Sequence, residues 1–149
     1  MRIITGRARG LNLKVPKNIV RPTSDRVRES VFATLGDRLP ECRVLDLFAG
    51  SGAMGIEALS RGANSVSFVD ESRHACNVIE SNLERARFQT EGNVIQRGVL
   101  SWVRRNVESF DLIFADPPYD SEFLQQLLDS NKFPNCLAEN GVVTFESSR

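Results

Sequence analysis

The chain has 149 residues, of which 41% are hydrophobic and 26% are charged, and its formal net charge is zero. These values are typical of a single globular domain that is long enough to bury a core. No apolar run approaches the ~20 residues that a membrane-spanning helix needs. The three cysteines lie far apart and form no metal-binding pair, so we expect a reducing, cytoplasmic location and no metal site.

The charge is unevenly distributed along the chain. Residues 1–28 contain eight basic residues and one acidic residue, a net charge of +7, whereas the remainder carries −7. A basic arm on an acidic body suits attraction to the phosphate backbone of a nucleic acid. The alternative is a solvated terminus without a binding role.

The predicted elements begin with an arm and continue as an alternating series. Residues 1–22 alternate loosely between apolar and polar positions, which predicts a short hairpin or extended arm as an N-terminal unit. Thr23 or Ser24 can cap the helix that follows, which ends at Gly36. Further strands are predicted over residues 43–48, 65–69, 93–96, 111–115 and 141–146, and helices over 53–61, the stretch after Ser72, 100–107 and 121–128.

This alternation over residues 23–149 predicts an α/β fold, a Rossmann-like, doubly wound and mainly parallel sheet covered on both faces. In such sheets ligands bind outside the carboxyl ends of the strands, near the point where the strand order reverses. A glycine turn, Asp70, Gly98 and Asp116 each follow one of the first four predicted strands. We therefore expect these four features to converge on one site.

The glycine turn reads DLFAGSGAMG over residues 46–55 and matches the dinucleotide fingerprint GxGxxG. Asp70 lies where that fingerprint expects an acid that binds ribose, so a nicotinamide dehydrogenase is a serious alternative. Asp46 argues against it, because a carboxylate beside the loop disfavours a pyrophosphate and favours a cationic ligand. The ammonium and sulfonium of S-adenosylmethionine are such cations, and Asp70 can accept hydrogen bonds from its ribose.

The tetrapeptide Asp116-Pro117-Pro118-Tyr119 follows the fourth predicted strand. A carboxylate, a rigid corner and an aromatic ring suit a planar substrate with an exocyclic amine, such as a nucleobase. The alternative is an acidic turn that ends a strand and begins a helix, because Asp and Pro both favour turns.

These motifs resemble those of a known family. DLFAGSG over residues 46–52 and Asp70 are similar to the cofactor motifs of class I S-adenosylmethionine-dependent methyltransferases, and the tetrapeptide is similar to the motif of enzymes that methylate exocyclic amines. RII-x-G over residues 2–6, RPT-x-DRVRE over 21–29 and EALSRGA over 57–63 complete the pattern. Together they closely resemble the bacterial 16S ribosomal RNA guanine-N2 methyltransferase family, over essentially the whole chain.

The resemblance implies a role for each motif. The implied catalytic residues are Asp116, Pro117, Pro118 and Tyr119. The implied cofactor-binding residues are Asp46, Phe48, Ala49, Gly50, Ser51, Gly52, Asp70, Gly98, Val99 and Asp116. The implied RNA-binding residues are Arg2, Arg7, Arg9, Lys14, Arg21, Arg26 and Arg28. The implied partner is 16S rRNA, within a small ribosomal subunit or its assembly intermediate.

The chain departs from the family pattern in two places. Many relatives carry Asp or Asn after the third strand, where this chain has Gly98, so contact with adenine there would come from the backbone and from apolar packing. The family fold also adds a C-terminal strand hairpin, which we expect to be missing here. The fifth strand would then form an open edge unless a partner covers it.

Two further alternatives remain on sequence grounds. Adenine-N6 methylation of DNA or RNA uses a similar tetrapeptide, and only the N-terminal motif favours guanine. An RNA-binding module with a vestigial cofactor pocket is an alternative from a different functional class.

Overall fold

A computed structural model describes residues 1–17, 24–117, 125–126, 129 and 134–145. Within these residues the strands are β1 (Arg43–Leu47), β2 (Ser65–Asp70), β3 (Gly92–Gln96), β4 (Phe110–Ala115) and β5 (Leu137–Phe145). The α-helices with described bounds are α1 (Asp25–Leu35), α2 (Ala53–Ser60), α3 (Arg73–Ala86) and α4 (Val99–Arg105). None of the described helices is long and apolar enough to span a membrane.

The strands form one parallel sheet in the order β3-β2-β1-β4-β5. The strand order reverses between β1 and β4, where Leu47 lies beside Ala115. This topology confirms the predicted doubly wound α/β sheet and places the switch point at the carboxyl ends of β1 and β4. β5 is an edge strand of the described sheet.

Two apolar layers cover the sheet. On one face, buried residues of α1, α2 and α3, such as Phe32, Ile56 and Ile79, pack on Val44 of β1. On the other face, Trp102 and Val103 of α4 pack on Leu45, Leu47 and Ile113. Because side chains alternate along a strand, β1 contributes to both layers and is almost completely buried.

The N-terminal residues form a hairpin that packs into the first layer. The Ile3 N–H donates to the Leu11 carbonyl at 2.9 Å, and Ile3 and Leu13 are buried in the core. At the tip, a Cβ on Gly6 would lie 1.9 Å from the Ser60 carbonyl oxygen, so only glycine fits between the hairpin and the end of α2. The predicted hairpin is present, but residues 1–17 share the core of the main domain and do not form a free arm.

Some predicted elements differ from the structure at their boundaries. β5 begins at Leu137, before the predicted start at residue 141, and a register irregularity lies opposite it in β4. Asn140 inside β5 has a φ of 64°, an irregularity that hides the strand pattern. Arg21, Pro118, Tyr119 and most of the predicted helix over 121–128 lie outside the described residues.

Candidate functional site

The turn between β1 and α2 brings the backbone to the surface of the switch point. Phe48, Gly50 and Gly52 have φ values of 57°, 60° and 79°, in the left-handed region that glycine favours. The Gly52 N–H donates to the Ala49 carbonyl at 2.8 Å, which closes the turn. A Cβ on Gly52 would lie 3.2 Å from Ile79, so the loop packs closely on α3.

Ser51 in the middle of this turn is buried. Its hydroxyl accepts from the Ala53 N–H at 3.3 Å, and its carbonyl accepts from the Asn82 side chain at 2.9 Å. Asn82 also donates to the Lys14 carbonyl and accepts from the Lys14 N–H. Asn82 therefore ties the glycine turn to the N-terminal hairpin, a role that the sequence analysis missed because it depends on contacts distant in sequence.

Asp70 at the end of β2 connects two loops. One carboxylate oxygen accepts from the Gly50 N–H at 3.0 Å, and the other accepts from the Ser72 N–H at 2.9 Å. A carboxylate offers about four lone-pair positions, so these two bonds leave acceptor capacity for ligand hydroxyls. This geometry fits the predicted contact of Asp70 with a ribose.

Asp46 on β1 is 4% exposed, and its carboxylate accepts from the Gly55 N–H in the first turn of α2 at 3.1 Å. Burial raises the pKa of Asp46 well above its ordinary value, the Gly55 hydrogen bond partly opposes that rise, and the charges of Asp70 and Asp116 add to it. Three carboxylates thus meet at the carboxyl ends of β2, β1 and β4. Such a group is stabilised by a bound cation, so the donor set fits S-adenosylmethionine and not a pyrophosphate.

Asp116 and Pro117 lie immediately beyond β4. Asp116 is exposed, whereas Pro117 is buried. Because Ala115 pairs with Leu47, Asp116 leaves the sheet beside the glycine turn. The structure therefore brings the carboxylate of the tetrapeptide to residues that are predicted to bind the cofactor, while Pro118 and Tyr119 fall outside the described part of the chain.

Gly98 and Val99 lie at the start of α4, with Gly98 as the N-cap. Apart from its two chain neighbours, no heavy atom of the described residues lies within 4 Å of the position that a Gly98 Cβ would occupy, and Val99 is 3% exposed. The Arg97 N–H donates to the Asp70 carbonyl at 3.0 Å, so this loop borders the same site. The open position at Gly98 leaves room for a flat ring beside the α4 N-terminus.

The predicted basic contacts separate into two groups. Arg2, Arg7, Arg9, Lys14 and Arg26 are exposed. Arg28 is fully buried, and its guanidinium donates to Asp25, to the Arg2 carbonyl and to Glu57. The predicted phosphate contact of Arg28 disagrees with the structure, because burial and three acceptors hold its charge inside the protein.

Glu57 of α2 is the centre of that buried network and was not predicted as an individual site residue. Its carboxylate accepts from the Ile4 and Thr5 N–H groups at 2.7 and 3.1 Å and from Arg61 at 2.9 Å. It also forms an ion pair with Arg28. Glu57 therefore fixes the hairpin and α1 on α2.

No group of metal-ligating side chains occurs among the described residues.

The chain is similar to known proteins over its full length. The model of the conserved hypothetical protein 95 family matches residues 1–149. Ribosomal RNA small subunit methyltransferase D of Haemophilus influenzae is 34% identical and covers 100% of this chain, which matches 79% of the relative. The Escherichia coli protein of the same name is 32% identical over 99% of this chain and 74% of its own length.

Solved structures of other proteins share the fold of this chain. That of yhhF from Escherichia coli has a TM-score of 0.89 and 33% identity, and it covers 99% of this chain and 80% of that chain. SMU.776, a methyltransferase structure complexed with SAH, shares the fold with a TM-score of 0.64 and 19% identity, over 80% of this chain and 34% of its own. The predicted methyltransferase fold is confirmed, and the methyltransferase relatives support S-adenosylmethionine as the cofactor. From the match over its full length, the chain belongs to the conserved hypothetical protein 95 family.

Proposed function

We propose that this protein transfers a methyl group from S-adenosylmethionine to the exocyclic N2 of a guanine in 16S rRNA. One observation carries the proposal. Asp46, Asp70 and the Asp116-Pro117 pair meet beside the glycine turn at the switch point of the sheet. The names of the small-subunit rRNA methyltransferase relatives agree with it.

The residues of β1, β2 and the glycine turn would hold the cofactor. S-adenosylmethionine supplies an activated methyl group on a sulfonium sulfur. Asp46 would stabilise its positive charge, and Asp70 would accept hydrogen bonds from the ribose hydroxyls. Gly98 and Val99 would border the adenine ring, with the open space at Gly98 taking the place of a side-chain contact.

Asp116 and Pro117 would prepare the amine. The lone pair of guanine N2 is delocalised into the ring, so the amine is a poor nucleophile. The Asp116 carboxylate and the Pro117 carbonyl accept its two hydrogens and favour a tetrahedral nitrogen. The nitrogen would gain the methyl group as the bond between that methyl and the sulfonium sulfur breaks, which leaves S-adenosylhomocysteine. It would lose one hydrogen as a proton, which Asp116 would accept. Tyr119 stacks on the flipped base, a contact worth about 1–3 kcal/mol.

The basic residues of the hairpin and α1 would hold the RNA. Arg2, Arg7, Arg9, Lys14 and Arg26 are exposed, as phosphate contacts require, and we retain Arg21 in this group. The proposed substrate is 16S rRNA within a small subunit or an assembly intermediate, which implies a cytoplasmic location. Most of the rate acceleration would come from positioning and electrostatics.

Replacement of Asp116 tests the proposal directly. Asp116→Ala should lower kcat for methyl transfer to small-subunit RNA by about 10²–10⁴-fold, the range that positioned acid–base and electrostatic groups contribute. Although Asp116 is also one of the implied cofactor-binding residues, S-adenosylmethionine affinity, measured by calorimetry, should fall far less than kcat, because Asp46 and Asp70 remain. Full activity of the variant would refute the mechanism. Asp111→Ala is a matched control, since Asp111 is an exposed acid on the same strand.

A further inference from the structure

A groove of about 410 Å³ lies between the tip of the N-terminal hairpin and the end of α3. Its lining includes Arg7 and Arg9 of the hairpin and Arg85 and Arg87 of α3 and its C-cap, and no acidic residue occurs in the described part of that lining. Four cationic side chains from two distant segments therefore face one cleft. Neither Arg85 nor Arg87 belongs to the basic N-terminal stretch that the sequence analysis selected.

These four arginines differ from Arg28, which is buried and paired with acidic side chains. All four are exposed, and none takes part in an ion pair between described residues. The Arg7 guanidinium lies 5.0 Å from the centre of the Phe88 ring, which holds it at the groove wall. The groove thus presents concentrated positive charge to solvent.

Arg87 carries a second signal. It is the C-cap of α3, with a φ of 62° and a ψ of 40°, the left-handed conformation in which glycine is the preferred residue. An arginine at this position is less favourable for the backbone than glycine would be. Its side chain is therefore poorly explained by helix termination and better explained by the charge that it adds to the groove.

The position of the groove defines the size of its ligand. α3 begins next to Asp70, which accepts from the N–H of the N-cap Ser72. The helix has 14 residues, so its two ends are about 21 Å apart. The groove lies at the end of α3 remote from the site. A ligand that spans both must be at least about 20 Å long, and the four arginines favour one with negative charges along its length, as an RNA backbone has.

We propose that Arg85 and Arg87 join Arg7 and Arg9 in an RNA-binding groove, which holds phosphates at the end of α3 that lies about 20 Å along the helix from Asp70. This inference rests on the proposed function, because it takes RNA as the substrate. The groove would bind a neighbouring segment of the same RNA and orient the target base toward Asp116. It would act on substrate affinity and leave the chemical step unchanged.

The test compares two double variants of the full chain. Arg85→Ala with Arg87→Gly removes two charges from the groove and gives the C-cap the residue that its backbone conformation favours. Arg104→Ala with Arg105→Ala is the matched control, because it removes two exposed arginines from the last turn of α4 on the opposite face of the sheet. Both are measured with protein-free small-subunit rRNA and with intact small subunits.

The groove variant should bind protein-free rRNA about 5- to 50-fold more weakly at ~0.1 M salt, with a salt dependence reduced by roughly 1.5–2 in log K against log salt. Its KM for RNA should rise while kcat at saturating RNA and cofactor affinity match the unaltered protein. Its thermal stability should equal or slightly exceed that of the unaltered protein, because glycine suits the backbone conformation at position 87. Binding equal to that of the control variant, in a protein preparation that methylates RNA, would overturn the inference and leave the proposed function intact. Weakened binding to subunits alone would assign the groove to a ribosomal protein and also overturn it.

Discussion

Asp46 of β1 and Glu57 of α2 are both buried acids, but they differ in the charged and polar groups that surround them. Glu57 is 0% exposed and accepts from two backbone N–H groups, Arg28 and Arg61. Asp46 is 4% exposed and accepts from the Gly55 N–H, and the other acids that act on it raise its pKa further. The protein therefore compensates the negative charge of Glu57, whereas the surroundings of Asp46 disfavour its charged form.

This difference separates a structural role from a binding role. A buried charge persists where partners compensate it, so Glu57 needs nothing beyond the fold. The surroundings of Asp46 leave its charge for a ligand to compensate, which is the role that the proposed function gives to a positively charged cofactor. The same criterion divides the arginines, because Arg28 is paired inside the protein whereas Arg85 and Arg87 are exposed.

The largest expected effect on stability follows from removing Glu57. Glu57→Ala leaves the Arg28 charge buried and the Ile4 and Thr5 N–H groups without their acceptor. The free energy of unfolding in urea should fall by about 3–5 kcal/mol. Glu80→Ala on the exposed side of α3 serves as the control and should change stability by less than about 0.5 kcal/mol. A loss below about 1 kcal/mol for Glu57→Ala would show that Glu57 does not have the structural role assigned to it.

Replacement of Asp46 should have the opposite effect on the ligand-free protein. Asn in its place still accepts from Gly55 but carries no charge, so Asp46→Asn should raise the free energy of unfolding at neutral pH by about 1–2 kcal/mol. Affinity for S-adenosylmethionine should fall tenfold or more, because the cation loses its partner. Calorimetry and urea unfolding measure the two effects, and a variant that binds the cofactor normally would show that Asp46 has no binding role.

The pH dependence gives an independent test of Asp46. Because its pKa in the folded protein is raised above the unfolded value, the folded state binds the proton more tightly. The stability that this carboxyl contributes is full below the ordinary carboxyl pKa and is lost as the pH rises through the raised pKa. Urea unfolding from pH 4 to pH 8 should show this loss in the unaltered protein and a smaller loss in Asp46→Asn. Identical pH profiles would contradict the assignment.

The smallest effects come from the two serine N-caps, which form a matched pair. The Ser24 hydroxyl accepts from the Val27 N–H at the start of α1, and the Ser72 hydroxyl accepts from the Ala75 N–H at the start of α3. Replacement of either by alanine should cost about 1 kcal/mol of stability. Only Ser72→Ala should also weaken cofactor binding, by a few-fold, because Ser72 adjoins Asp70. Equal cofactor affinities in the two variants would show that the Ser72 cap does not position Asp70 for cofactor binding.

The sequence predicted the sheet, the glycine turn and the positions of Asp46, Asp70 and Asp116, because these features depend on local patterns and on the rule for parallel strands. The roles of Glu57 and Asn82 were not predicted, because the partners that tie them to the hairpin, such as Ile4 and Lys14, lie more than 50 residues away. The position of Arg28 was open to prediction. Arg28 precedes Phe32 and Leu35 by four and seven residues, which places it on the buried face of α1. The RNA contact predicted for it followed from its positive charge alone.

The most direct measurement is nucleoside mass spectrometry of rRNA incubated with this protein and S-adenosylmethionine that carries a deuterated methyl group. The substrate is the small subunit from cells that lack this methyltransferase. The account predicts labelled N2-methylguanosine in 16S rRNA, and its loss with Asp116→Ala. Labelled N6-methyladenosine would assign the site to a different base, and the absence of any labelled nucleoside would contradict the proposed activity.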